Sequence, residues 1–220
     1  MPTVRPTTPS PGHQCRIDAH YSFQMARTSR DSEYDEFEPP LGFGRDAAFT
    51  AWENQLATLA AAPAVVREAT STGQDGRRVK DLQVACESIS VKSVRENVTA
   101  IKERLIFLAE IDAVHVGFCI AAAGPRPTDP LFIQVVGVAP PAQRRGIGVA
   151  LLSAAAEREP RRDLALATQD DNVAARTMNE RFALSTSSII ERVPLTTYRE
   201  RDLGIKRGDG YRAWRIRRQV

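Results

Sequence analysis

The period of the apolar positions changes several times along the chain, and each change predicts an element. Over residues 46–62, Phe49, Trp52, Leu56, Leu59 and Ala60 recur at helical spacing, and Pro63 closes the stretch. A further helix or two is expected between residues 79 and 104, where Val94, Val98 and Ile101 form a stripe. Residues 106–110 and 115–122 are short apolar runs around a tight link, which predicts a hairpin. Residues 131–138 are a run of apolar and β-branched residues, with Gln134 as the only polar member and Pro130 and Pro140 outside the run, so a buried strand is expected. Ile147, Leu151, Ala154 and Ala155 then share one helical face up to Pro160. Residues 164–168 read as a strand, and Ala174, Ala175, Met178 and Phe182 as a helix opening at Asp171 or Asn172, with Asp171 a good N-cap. Residues 187–195 predict another strand. In 211–220 Trp214 and Ile216 alternate with arginines, as in a strand with one buried face. The whole is an α/β sheet with no internal repeat.

Residues 1–40 show neither period. They are rich in Pro, Ser and Thr and carry Asp31, Glu33, Asp35, Glu36 and Glu38, too little apolar surface to offset the entropy of ordering them. A flexible arm is expected there, with a short strand weighed at residues 20–24, ahead of one domain over residues 41–220. With 42% hydrophobic residues in a 220-residue chain, that domain can bury a core. A net charge of only +3 argues against a dedicated nucleic-acid binder, although arginines gather after Tyr198. Cys15, Cys86 and Cys119 are odd in number and widely spaced, which indicates neither a disulfide framework nor a metal site. No apolar run approaches a membrane span, so a cytoplasmic protein without a membrane partner is the expectation.

The chemistry concentrates between the strand at 131–138 and the helix after it. Residues 143–148, Gln-Arg-Arg-Gly-Ile-Gly, form a basic turn whose glycines let the backbone present N–H groups at close range. Those groups are also the unpaired donors of a helix start, where the macrodipole favours an anion. The turn therefore suits a phosphate or pyrophosphate. It lacks the Gly-Lys-Ser/Thr of a Walker loop and the Gly-x-Gly-x-x-Gly of a dinucleotide fold.

The turn resembles the coenzyme A motif of the GCN5-related N-acetyltransferases, Gln/Arg-x-x-Gly-x-Gly/Ala after a strand. A second stretch, residues 172–184, is similar to that family's Asn-x-x-Ala-x-x-apolar-Tyr-Glu-Lys-x-Gly-Phe, with Asn172, Ala175, Met178, Glu180 and Arg181 in step. It departs at Asn179, Ala183 and Leu184, where tyrosine, glycine and phenylalanine are usual. The resemblance implies the acyl-CoA N-acyltransferase fold, a mixed and mostly antiparallel sheet flanked by helices. It also implies acetyl-CoA as cofactor and transfer of the acetyl group to a primary amine by direct attack on the thioester.

On that reading Gln143, Arg144, Arg145, Gly146, Ile147 and Gly148 hold the pyrophosphate, and the backbone of Val136, Gly137 and Val138 pairs with the pantetheine arm. Gly137 is the candidate bulge, with close packing as its alternative. Asn172 either binds the arm or caps its helix. Candidates for catalysis are Gln134, which sits where the family often has glutamate and can only orient a water, then Glu110, with His115 beside it. Asn179 or Tyr198 would assist the leaving thiolate. The acceptor amine is not encoded in any recognisable way, and a homodimer is left open. The alternative is a non-catalytic acyl-CoA-binding sensor or interaction protein of the same fold.

Overall fold

The computed structural model describes residues 45–86, 89–206 and 208–218, all within the unit Pro39–Val220. The strand weighed at 20–24, the acidic cluster and Cys15 lie outside the described residues.

The order is α1 (Ala47–Ala57), β1 (Val65–Glu68), α2 (Asp75–Ala85), α3 (Val94–Glu103), β2 (Leu105–Ile111), β3 (Val114–Ala123), β4 (Leu131–Val138), α4 (Ile147–Arg158), β5 (Leu164–Gln169), α5 (Val173–Ser185), β6 (Ile189–Val193), α6 (Glu200–Leu203) and β7 (Tyr211–Arg217). The strands form one sheet in the order β1-β2-β3-β4-β5-β7-β6. All neighbours run antiparallel except β4 and β5. The expected mixed sheet between helices is the architecture found.

Local chemistry explains most boundaries. Asp46 caps α1 by accepting the Phe49 N–H at 2.9 Å, and Ser93 and Glu96 make a reciprocal capping box on α3. The β2–β3 link is Asp112-Ala113, both left-handed, the backbone that keeps a two-residue hairpin in step with strand twist. Helix α1 ends at Ala57, so the stretch read as helix to Ala62 is shorter than its periodicity suggested. The N-cap of α5 is Asn172 and not Asp171, with its Oδ1 accepting the Ala175 N–H at 2.9 Å. Strand β7 buries Ala213 and Ile216, which face opposite ways, because it lies inside the sheet with both faces covered. Neither β1 nor α6 was expected from the sequence.

Helices α1, α2 and α3 cover one face of β2–β4, and α4 covers the other. A Cβ on Gly137 would meet Phe118 and Cys86 on the α2 side, whereas one on Gly117 would meet Ile147 and Leu151 of α4. Buried Leu151, Leu152, Ala155 and Ala156 seat α4 on the sheet, with Ala154 half-buried at the margin. A smaller core of Phe132, Ala165, Leu203 and Ala213 lies under α6.

Candidate active site

Strands β4 and β5 pair only from Leu131–Leu164 to Ile133–Leu166. Beyond that point β5 continues to Gln169 and β4 to Val138 without pairing, so two parallel strands part and leave one backbone edge of β4 open. Gln134 stands at the fork. The β3–β4 register slips there, with Ile120 opposite Val135 and Ala121 opposite Ile133, which makes Gln134 the bulged residue. The bulge is therefore not at Gly137, whose missing Cβ is explained by Phe118 packed 2.6 Å from where it would be.

The turn at residues 143–148 closes the open end of β4. Gln143 Nε2 donates to Val138 O at 3.1 Å, which ties the turn to the strand. Arg144 and Gly146 are left-handed at φ 63 and 78, and Gly146 is the N-cap of α4 without a side-chain cap. No backbone acceptor meets the N–H groups of Arg144, Arg145 or Gly146 among the described residues. The first-turn N–H groups of α4 follow directly, so consecutive donors and the positive end of the helix dipole coincide.

The two glycines differ in what they do. Gly146 supplies the left-handed turn, while Gly148 lets α5 approach, since a Cβ there would run into Met178 Sδ and come within 4.0 Å of Val136 Cγ1. The arginines differ as well. Arg145 Nη1 donates to Ala60 O at 2.8 Å and so anchors the segment after α1. Arg144 makes no such bond among the described residues.

Val136, Val138, Gln143, Gly146, Ile147 and Gly148 thus come together with the middle of α5 at Met178. Asn172 uses its Oδ1 as the helix cap. Asn179 is 3% exposed, and its side chain has no hydrogen-bond partner among the described residues. Gln134 is fully engaged in amide bonds: its Oε1 accepts from Arg104 Nη1 at 2.6 Å, and its Nε2 donates to Asp202 O at 3.0 Å and Arg201 O at 3.3 Å. No sequence signal announced this latch, which joins residues far apart in the chain.

Glu110 and Tyr198 stand away from this group. Glu110 accepts from Arg67 at 2.7 Å and Arg78 at 3.2 Å in a cluster that includes Asp75. The Tyr198 ring packs edge-on against Phe132 at 5.5 Å, and burial raises its hydroxyl pKa, with Arg215, Asp163 and Glu191 as its charged surroundings. Those residues lie at the paired end of β5. His115 stacks on Trp52 at 4.6 Å, its Nε2 has no hydrogen-bond partner, and burial lowers its pKa to about 3. Burial raises the Cys86 thiol to about 11 and Cys119 to about 12, so both are inert as nucleophiles near neutral pH.

The arginines after Tyr198 are structural in the main. Arg212 pairs with Asp170, Arg215 with Asp163 and Arg217 with Glu191, and Arg218 donates to the carbonyls of Ala156, Glu159 and Arg162 at the end of α4. Among the described residues no helix is long and apolar enough to cross a membrane.

The fold recurs in solved acetyltransferases. The diaminobutyrate acetyltransferase of Paenibacillus lautus, crystallised with L-2,4-diaminobutyric acid and coenzyme A, matches with a TM-score of 0.56 and 21% identity, over 70% of this chain and 95% of its own. The N-acetylglutamate synthase of Neisseria gonorrhoeae, complexed with coenzyme A and N-acetyl-glutamate, matches with a TM-score of 0.56 and 18% identity, over 73% of this chain and 36% of its own. The ribosomal-protein-S18-alanine N-acetyltransferase of Escherichia coli gives 0.51 and 17%, over 71% and 95%. At such identities the likeness is one of fold. No curated protein matches the chain in sequence. Residues 77–183, from α2 through the turn to Ala183, match the model of the acetyltransferase (GNAT) family and carry that family's domain.

Proposed function

We propose that the protein is an N-acetyltransferase that moves an acetyl group from acetyl-CoA to a primary amine. The observation that carries this is the fork between β4 and β5 ending on a turn of free N–H groups. The chain's residues fit coenzyme A in two respects. The donors at Arg145–Gly148, with Arg144 beside them, suit a pyrophosphate. The open edge of β4 at Val136–Val138 suits an amide-bearing arm laid along it like an added strand.

Bound acetyl-CoA supplies an acetyl group activated as a thioester. The amine nitrogen bonds to the carbonyl carbon, the carbon–sulfur bond breaks, and the nitrogen's proton passes to solvent. None of the candidate side chains is a free base. Gln134 is an amide with both ends occupied, Glu110 is held by two guanidinium groups, and His115 is buried. Catalysis is thus assigned to positioning, with water carrying the proton and the Asn179 amide donating to the departing sulfur. Tyr198 has no part in this reading because of where it packs. The second reading, an acyl-CoA sensor, draws on the same lack of a base.

Release of free thiol from acetyl-CoA decides between them. Thiol release with at least one amine, at a rate that climbs with pH as the amine deprotonates, is the expected result. Binding of acetyl-CoA without thiol release across amines, amino acids, polyamines, aminoglycosides and peptides would leave the sensor.

A further inference from the structure

Arginine 104 is the residue that neither the fold nor the reaction accounts for. It follows α3, and its guanidinium meets the neutral Gln134 amide at 2.6 Å and no carboxylate among the described residues. A guanidinium has five N–H donors in a fixed fork, so most of this one's capacity is unspent. It opens onto a groove of about 280 Å³ along α3, lined by Lys92, Arg95, Glu96, Thr99, Glu103 and Arg104. The charge there is positive: Glu96 is turned into the helix cap, with Ser93 N–H donating at 2.8 Å and Ser93 Oγ at 2.6 Å. That sets three cations against two carboxylates, of which Glu103 alone stands outside the cap.

We propose that this groove takes a carboxylate of the acceptor, read by Arg104, so that the substrate class is small amino acids or peptides carrying a carboxylate near the reacting amine. The inference rests on the acetyltransferase reading above. Gln134 fixes Arg104 at the fork where β4 leaves β5, so a carboxylate on the free edge of the guanidinium sets its own amine beside the open strand. Glu103 in the same groove favours a single negative charge over a phosphate dianion. A second groove, about 450 Å³ at the ends of β6 and β7, is less suited, because it lies on the strands beyond β5 and its Arg212 is already answered by Asp170 at 2.6 Å.

Matched acceptors test this: L-2,4-diaminobutyrate against 1,3-diaminopropane, L-ornithine against putrescine, the common L-amino acids against their amides, and short peptides with Glu or Gln in second place. Thiol release should favour the carboxylated member. Arg104→Gln should lower kcat/KM for that member about tenfold to a hundredfold more than for its partner, through KM, as expected for a charge-assisted bond. Arg104→Lys should recover part of the loss, and the acetyl-CoA-induced rise in Tm should survive in both variants. Equal turnover of both members, or an equal fall for both in Arg104→Gln, overturns the proposal. A Tm that does not respond to acetyl-CoA, or one that rises without thiol release from any acceptor, is instead the failure of the reading on which it rests.

Discussion

Two arginine clusters on this molecule differ in what their guanidinium groups meet. Between β1, α2 and β2, Arg67 and Arg78 share Asp75 and Glu110, at 2.7 to 3.2 Å. Asp75 also accepts from the Thr70 N–H at 2.8 Å, and its carboxyl is held well below the usual range, chiefly by the Arg67 hydrogen bond and against its own burial. Every carboxylate there is matched, and the cluster clamps β1 and β2 to α2. Around the fork, Arg104 meets an amide and the turn at Arg144–Gly146 has N–H groups with no backbone acceptor. A closed cluster of this kind holds a fold together, whereas an open one keeps donors to spare for a ligand. Residue type does not distinguish the two. Bonding does.

The comparison breaks most visibly if the closed cluster proves dispensable. Asp75, 4% exposed, answers two arginines, so Asp75→Asn should cost stability near the lower end of about 3–5 kcal/mol, since each arginine is roughly a third exposed. Chemical denaturation measures this, and the Kd for acetyl-CoA should not move. An unchanged midpoint, or a tenfold weaker Kd, would put Asp75 on the wrong side of the division.

Gly146→Asp probes the open side. A ligand at a hundred times its Kd raises stability by about 2.7 kcal/mol, and a carboxylate in the turn proposed to hold the pyrophosphate should erase that gain while circular dichroism stays native. A Tm that still rises with acetyl-CoA shows that the turn is not the phosphate site.

The third test uses pH on His115, which faces Asp81 at 3.8 Å and lies near Arg77 and Arg78. Its folded pKa of about 3 lies below the ordinary 6.5, so the unfolded chain binds the extra proton between these values. Stability is then full above pH 6.5 and declines as pH falls toward 3, by at most about 1.4 kcal/mol per pH unit. Asp81, whose pKa is raised by burial, offsets part of this at the acid end. Melting between pH 7 and 4.5, above the range where Asp75 titrates, should show the decline in wild type and a flatter curve in His115→Phe. Parallel curves would remove His115 as the cause.

The smallest effect separates the two roles of Asn172. Loss of its cap in Asn172→Ala should cost about 1 kcal/mol and leave the acetyl-CoA Kd within about twofold. A larger rise in Kd would return the residue to the cofactor.

What the sequence disclosed follows the same division between local and distant causes. The run 131–138 is the strand as built, and residues 143–148 carry the turn, because strand periodicity, left-handed glycine and helix start are all encoded within a few residues. Strand β1 escaped notice because Val65–Glu68 is too short to alternate and owes its existence to pairing with β2, some forty residues on. The part played by Gly148 depends on Met178, that of Arg145 on Ala60, and that of Gln134 on Arg104 and on α6. Glu110 looked available because nothing in the sequence places Arg67 and Arg78 on either side of it. Nor does any local pattern signal the packing of the Tyr198 ring on Phe132.

The strand order has a consequence in time. Strand β7 lies between β5 and β6, so a ribosome delivers β6 before the strand it must pair with exists. Until residues 211–217 emerge, β5 presents an unpaired apolar edge and β6 has no partner, while the turn and α4 are already complete. During that interval the nascent chain is a half-sheet with a sticky border, the state in which wrong strand pairing competes with folding. The last strand inserted is then the step that commits the domain, and the Arg218 bonds to the end of α4 fasten it afterwards.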